Sequence, residues 1–295
     1  MRASTLILLV TASACGGRTS APTPPGPLDR IAARIEASGA TVGLYYRDLA
    51  SGDSLAYAAD LRFHAASTMK VPVMAQVFRD RDAGLLAVDD SLVVTRTFAS
   101  LVDGSPYDLD LADDSDSTLY ARVGGRASVR ELVELMITVS SNLATNMLIT
   151  QAGAQRANAT AHALGADSIQ VLRGVEDDKA YRAGRNNTTT ARDLGRVLAA
   201  IAQGRAASDS SCREMLGVLG RQRFNEGIPA GLPPGTLVAH KTGSITALYH
   251  DAAIVTTPAG RHYVLVVLTR GLEEEGDAHR LVADLSRIVY EERGR

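Results

Sequence analysis

Ser67 and Lys70 stand three residues apart in Ser67-Thr68-Met69-Lys70. On a helix that spacing puts a hydroxyl and an amine on one face, about a turn from each other. An amine so placed can take the serine proton only if it first gives up its own. Its pKa must fall from about 10.4 toward 7, at a cost of about 4 kcal/mol. Unpaired N–H groups and partial positive charge at the start of such a helix would favour an alkoxide or an oxyanion. Lysine is also scarce: among 31 lysines and arginines the lysines are Lys70, Lys179 and Lys241 alone. A chain that otherwise writes positive charge as arginine keeps lysine where a permanently protonated guanidinium cannot serve. Lys241 opens Lys241-Thr242-Gly243, and Ser140-Ser141-Asn142 lies between the two lysine motifs.

The pattern S-x-x-K, S-S-N, K-T-G, in this order and at these wide separations, resembles the signature of class A β-lactamases and penicillin-binding proteins. The chain is similar to the penicillin-recognising serine hydrolases, nearest their class A branch, from about Leu28 to its C-terminus. The resemblance implies an α/β lobe, an all-helical lobe and an active site in the crevice between them. It implies Ser67 as nucleophile, Lys70 as base or proton relay, and Ser140 as proton donor to the leaving group. Asn142 would orient the lysine and the substrate amide. Lys241 and Thr242 would bind the substrate carboxylate, Gly243 would allow close backbone approach, and the N–H groups of Ser67 and Ser244 would hold the oxyanion. Glu176, in Arg173-Gly174-Val175-Glu176, is the best-placed carboxylate for the base that activates the deacylating water. His250, nine residues after Lys241, falls where the family often has a carboxylate-binding arginine. It reads as a pH-dependent stand-in or as a structural histidine.

Two departures stand out. Ser141 replaces the usual aspartate of S-D-N, a change that bears on lobe packing more than on chemistry. Ala180 occupies the place of an asparagine that shares the hydrolytic water, for which Asn186 or Asn187 could substitute. The implied reaction is hydrolysis of a β-lactam amide through an acyl-enzyme on Ser67, with no metal or other cofactor. Two alternatives remain open. One is a D-Ala-D-Ala peptidase-like penicillin-binding protein that acts on peptidoglycan-like peptides and deacylates slowly. The other is a non-catalytic β-lactam-binding envelope protein.

Competing nucleophile signals are weak. Gly52-Asp53-Ser54-Leu55 spells G-D-S-L, but Gly-Asp there is ordinary turn chemistry. There is no G-x-S-x-G elbow, and none of the six histidines sits in a Ser–His pattern. A net charge of −2 gives no reason to expect nucleic acid as a partner. With no tryptophan and 4% aromatic residues, stacking platforms for bases or sugars are not expected. Arg2, the short apolar run Leu6–Val10 and Ala12-Ser13-Ala14-Cys15 read as a lipoprotein-type signal peptide over residues 1–14. Cys15 would carry the lipid, although an ordinary signal peptide cleaved nearby is the other reading. Residues 15–27 read as a flexible tether and 28–295 as one catalytic domain. The expected protein is therefore a monomer of the periplasm or cell envelope, held to a membrane by lipid alone. Cys212 is then without a disulfide partner and reads as a small buried residue.

The elements that must position these groups follow from periodicity and caps. Leu28–Ala37 has helical spacing. Thr41–Arg47 and Leu55–Ala58 pair as strands across the Ser51-Gly52-Asp53 turn. A helix runs from Ser67 to Asp82, and Ser128 with Glu131 forms a capping box for another. Thr190 with Asp193 starts a helix running to about Gln203. Gly235–His240 alternates toward a strand that, at a sheet edge, would line the crevice. Asp251–Thr257 and His262–Thr269 are strands, and Asp277–Glu292 is a final helix. Strands at both ends with helices between them predict an α/β, α+β-sandwich fold: one antiparallel sheet from distant segments, flanked by helices, plus a helical lobe. Asp103–Ser117, acidic and serine-rich, reads as a solvated loop at the edge of that lobe.

Overall fold

Two segments far apart in the chain, one ending at Tyr57 and the other starting at Leu237, build the sheet, as seen in a computed structural model that describes residues 26–294. The segment expected to be a signal peptide, with Cys15 and most of the expected tether, lies outside the described residues. Strands β1 (Thr41–Asp48) and β2 (Ser54–Tyr57) come from the N-terminal part. Strands β3 (Leu237–Ile245), β4 (Leu248–Thr256) and β5 (His262–Arg270) come from the C-terminal part. All neighbours are antiparallel in the order β2-β1-β5-β4-β3, so β3, which carries Lys241-Thr242-Gly243, is an edge strand. β1 enters between β2 and β5, with Leu44 opposite Val267 and Tyr46 opposite Leu265.

Helices α1 (Pro27–Glu36) and α9 (Glu275–Val289) cover one face of the sheet. The buried residues of α9 (Ala278, Leu281, Val282, Leu285, Ile288, Val289) fall at helical spacing and pack with Ile31 and Ile35 of α1. On the other face lies α7 (Ala191–Ala202), whose cap is the predicted one: Thr190 Oγ1 accepts from Asp193 N at 3.1 Å. α7 approaches so closely that a Cβ on Gly195 would lie 2.5 Å from the Tyr45 ring.

Beyond α7 is the helical lobe: α2 (Lys70–Asp82), α3 (Val129–Thr138), α4 (Asn142–Ala152), α5 (Ala154–Ala163), the short α6 (Asp178–Arg182) and α8 (Asp209–Leu219). α2 is its centre, buried almost all round from Lys70 to Phe78, which makes it a core helix rather than an amphipathic one. Ser128 Oγ caps α3 by accepting from Glu131 N at 3.2 Å. The fold is the predicted one. Cys212 is buried in the core, as expected of a small apolar residue. Ser54 of G-D-S-L is exposed at the start of β2.

Candidate active site

Five described residues other than glycine have positive φ, and three of them converge on the crevice: Ala66 (44°), Ser140 (60°) and Glu176 (62°). Such backbone costs free energy and persists where the surrounding packing holds it. Ala66 starts a 3-10 turn, Ala66–Met69, that runs directly into α2. Ser67 is half-buried in that turn and Lys70 is fully buried at the first position of α2. Edge strand β3 lies against the turn. A Cβ on Gly243 would sit 2.9 Å from Ser67 N and 3.0 Å from Thr68 N, so glycine keeps the space before those N–H groups clear.

Lys70 Nζ has three acceptors: Ser140 O at 2.6 Å, Ser140 Oγ at 3.1 Å and Asn142 Oδ1 at 3.0 Å. Burial pushes its pKa down to about 7, against the pull of Asp114 and Glu176 toward the charged form. Lys241 is also fully buried. Burial, and then repulsion from Lys70, holds it well below the ordinary lysine range. Its Nζ donates to Ser140 Oγ at 3.1 Å and to Thr242 O at 2.8 Å. The Ser140 hydroxyl oxygen thus accepts from both lysine Nζ atoms, which leaves its own proton free to be given away. Lys179, by contrast, is exposed and pairs with Asp103 at 3.1 Å.

Glu176 lies on the irregular segment ahead of α6, half-buried rather than out in solvent. Asn142 bridges it to Lys70: Nδ2 donates to Glu176 Oε1 at 2.8 Å while Oδ1 accepts from Lys70. Because one amide atom faces a carboxylate and the other an ammonium, the amide orientation is unambiguous. Burial raises the Glu176 pKa to about 7, the Asn142 hydrogen bond opposes it, and Asp113 and Asp114 add to the rise. Asn146, one turn further along α4, fixes the segment by accepting from Val175 N at 2.6 Å and donating to Val175 O at 3.0 Å. Ala180 is fully buried in α6. Asn187 lines the same arm of the crevice as Glu176, with its amide engaged by the loop backbone. Its Oδ1 accepts from Leu172 N and Arg173 N, and its Nδ2 donates to Arg173 O at 3.1 Å.

Two expectations need correction. His250 does not reach the crevice. One strand in from the edge, it is roofed by Phe63 and His64 and fully buried, with Nε2 2.9 Å from His64 O. Its Nδ1 lies 2.9 Å from Tyr249 O and 3.1 Å from Thr269 N, so main-chain groups hold the ring at both nitrogens. Burial pushes its pKa down to about 4, and it is a neutral structural histidine. The adjacent Tyr249 and, from α9, His279 line the crevice instead. The acidic segment 103–117 is also not merely solvated. Asp114 accepts from Asn142 N at 3.0 Å and Leu143 N at 2.8 Å, Asp113 O accepts from Asn142 Nδ2 at 3.0 Å, and Ser115 Oγ donates to Val139 O at 2.5 Å. The sequence signal was present: carboxylates with no assigned role, in a chain whose S-x-N motif lacks one.

A family profile described as the β-lactamase enzyme family matches residues 27–292. The chain belongs to that family. A β-lactamase of Streptomyces albus G is 29% identical over 302 residues, which span 100% of this chain and 93% of the relative. Among solved structures, a β-lactamase from Sphaerobacter thermophilus is 31% identical with a TM-score of 0.76, over 91% of this chain and 97% of that one. The structure of PBP-A is 29% identical with a TM-score of 0.77, over 92% and 98%. In this member of the β-lactamase enzyme family the crevice has two arms that share Ser67, Asn142, Asp113 and Ser244. One, of 510 Å³, runs past Ser140 and Thr242 to Glu226, Tyr249 and His279. The other, of 640 Å³, runs past Glu176 to Arg173, Tyr181 and Ile245.

Proposed function

We propose that the protein hydrolyses β-lactam amides as a class A-type serine enzyme, through an acyl-enzyme on Ser67. The observation that carries this is the continuous chain Lys241–Ser140–Lys70–Asn142–Glu176, with both lysines buried and Lys70 and Glu176 each near neutrality in pKa. A base works best when its pKa lies near the working pH. Neutral Lys70 has two N–H donors for its three acceptors and a lone pair for the Ser67 proton. Ser67 Oγ then attacks the lactam carbonyl, whose oxygen is held by the N–H groups of Ser67 and Ser244. As the C–N bond breaks, the nitrogen takes the Ser140 proton, and Ser140 is reprotonated by a lysine ammonium. Lys241 and Thr242 meet the substrate carboxylate. Ionised Glu176 then takes a proton from water as the water oxygen attacks the ester, and that proton is returned to the Ser67 oxygen as it leaves, which regenerates the carboxylate.

Family membership and the seated Glu176 favour hydrolysis over a peptidase-like protein that stalls as the acyl-enzyme. Export and lipid anchoring at Cys15 are part of the proposal and rest on the sequence of residues 1–27. Purified protein is tested with a chromogenic cephalosporin and a fluorescent penicillin. Turnover supports the reading, a single stoichiometric burst favours the peptidase-like alternative, and no reaction sinks both. Ser67→Ala should abolish covalent labelling with the circular dichroism spectrum unchanged; a variant that still labels on a denaturing gel removes Ser67 as nucleophile.

A further inference from the structure

We propose that Asp114 supplies, from a distant loop, the carboxylate that Ser140-Ser141-Asn142 lacks. It acts as a positioning residue for Asn142 and, through Asn142, for Lys70 and Glu176. The inference rests on the reaction proposed above.

α4 begins at Asn142, immediately after the motif. A helix start leaves N–H groups without partners. Ser141 Oγ satisfies one of them, Ala144 N, at 3.3 Å. The first two, Asn142 N and Leu143 N, are taken by the two oxygens of Asp114 at 3.0 and 2.8 Å. Ser141 Oγ and Tyr120 OH also reach Asp114 Oδ2, at 3.5 and 3.3 Å. Hydrogen bonds to an ionised acceptor are stronger than neutral ones, and a negative charge at a helix N-terminus is favoured. One of these main-chain bonds is at Asn142, whose side chain bridges Lys70 and Glu176, and the other is at the next residue, Leu143. The neighbouring Asp113 O fixes the same side chain from below, at 3.0 Å from Nδ2. The loop therefore holds Asn142 by backbone and side chain together.

The charge has a second effect. Asp114 favours the protonated forms of both Lys70 and Glu176. The other groups facing this pair are Glu176 itself and Lys241 at Lys70, and Asp113 and the Asp110 backbone at Glu176. Loss of the Asp114 charge thus moves both titrations to lower pH.

The test compares full-chain wild type, Asp114→Asn, Ser141→Asp and the double variant. An aspartate at 141 is at the N-cap of α4 and can accept from Leu143 N and Ala144 N. Rates with a chromogenic cephalosporin are measured across pH, with circular dichroism melts alongside. Asp114→Asn should lower kcat about 10- to 100-fold, the scale of a small misplacement of reacting groups, and shift the acidic limb to lower pH. Adding Ser141→Asp to it should bring kcat back to within a few-fold of wild type. A wild-type rate and pH profile in Asp114→Asn overturn the proposal, and so does a double variant no better than the single one. If Asp114→Asn does not fold, a folded and active double variant supports the proposal and an unfolded or inactive one overturns it. A wild type that neither turns over nor labels fails the functional reading itself, whereas an active wild type with an indifferent Asp114 fails only this inference.

Discussion

Glu176→Gln separates the two chemical halves of the reaction. The glutamine Oε1 can still accept from Asn142 Nδ2, now 2.8 Å from Glu176 Oε1, so the bridge to Lys70 keeps its geometry. What disappears is a base, and a positioned general base contributes about 10²- to 10⁴-fold. Deacylation should slow by that factor while acylation stays within about tenfold, so kcat and KM fall together and kcat/KM changes little. The pH dependence has a definite sign. In the wild type Glu176, raised to about 7, must be ionised to work, so deacylation rises with pH through about 7 and fails below it. The glutamine variant lacks that limb. Its Lys70 also loses a charge that favoured the ammonium, which moves the acylation limb to lower pH. The two groups are coupled through Asn142, so each limb belongs to the pair rather than to one residue. Intact-mass spectrometry after mixing with a penicillin should show an adduct of the whole substrate mass, because ring opening expels nothing, and peptide mapping should place it on Ser67. Unchanged steady-state hydrolysis by Glu176→Gln would refute the reasoning. An adduct equally long-lived in the wild type would favour the peptidase-like alternative.

Lys70→Arg keeps the charge but cannot supply a neutral base, so penicillin labelling should slow by several orders of magnitude; near-wild-type labelling makes Lys70 purely electrostatic. His250→Ala removes a buried ring and orphans His64 O and Thr269 N. It should cost about 2–5 kcal/mol of stability by denaturant melt with KM for the variant's folded fraction unchanged, and a raised KM at wild-type stability returns His250 to substrate binding. Cys15→Ser should release the protein from the membrane fraction of a bacterial host, and a wild type already soluble there refutes the lipid anchor.

The chain's own order of residues determined a good deal. Ser67 and Lys70 share a face because three residues are most of a helical turn, whatever surrounds them. The caps at Ser128 and Thr190 are local bonds to the third residue on, and each starts its helix where the pattern placed it. Lysine scarcity pointed to Lys70 and Lys241 because burial with loss of charge is chemistry arginine cannot do. None of these depends on a contact across the molecule.

Tertiary structure alone decided the rest, because the deciding partners come from segments with no fixed spacing. His250 and Tyr249 are neighbours in the chain, yet the two faces of β4 send one beneath Phe63 and His64 and the other into the crevice. Which side a strand residue occupies is set by the register of β4 on β3 and by what covers each face. The Glu176 and Lys70 pKa values reflect burial between lobes, which no local pattern encodes. Asp114 looked like one more charge in a solvated loop, and only the packing of that loop on the start of α4 gives its carboxylate two backbone N–H groups to hold.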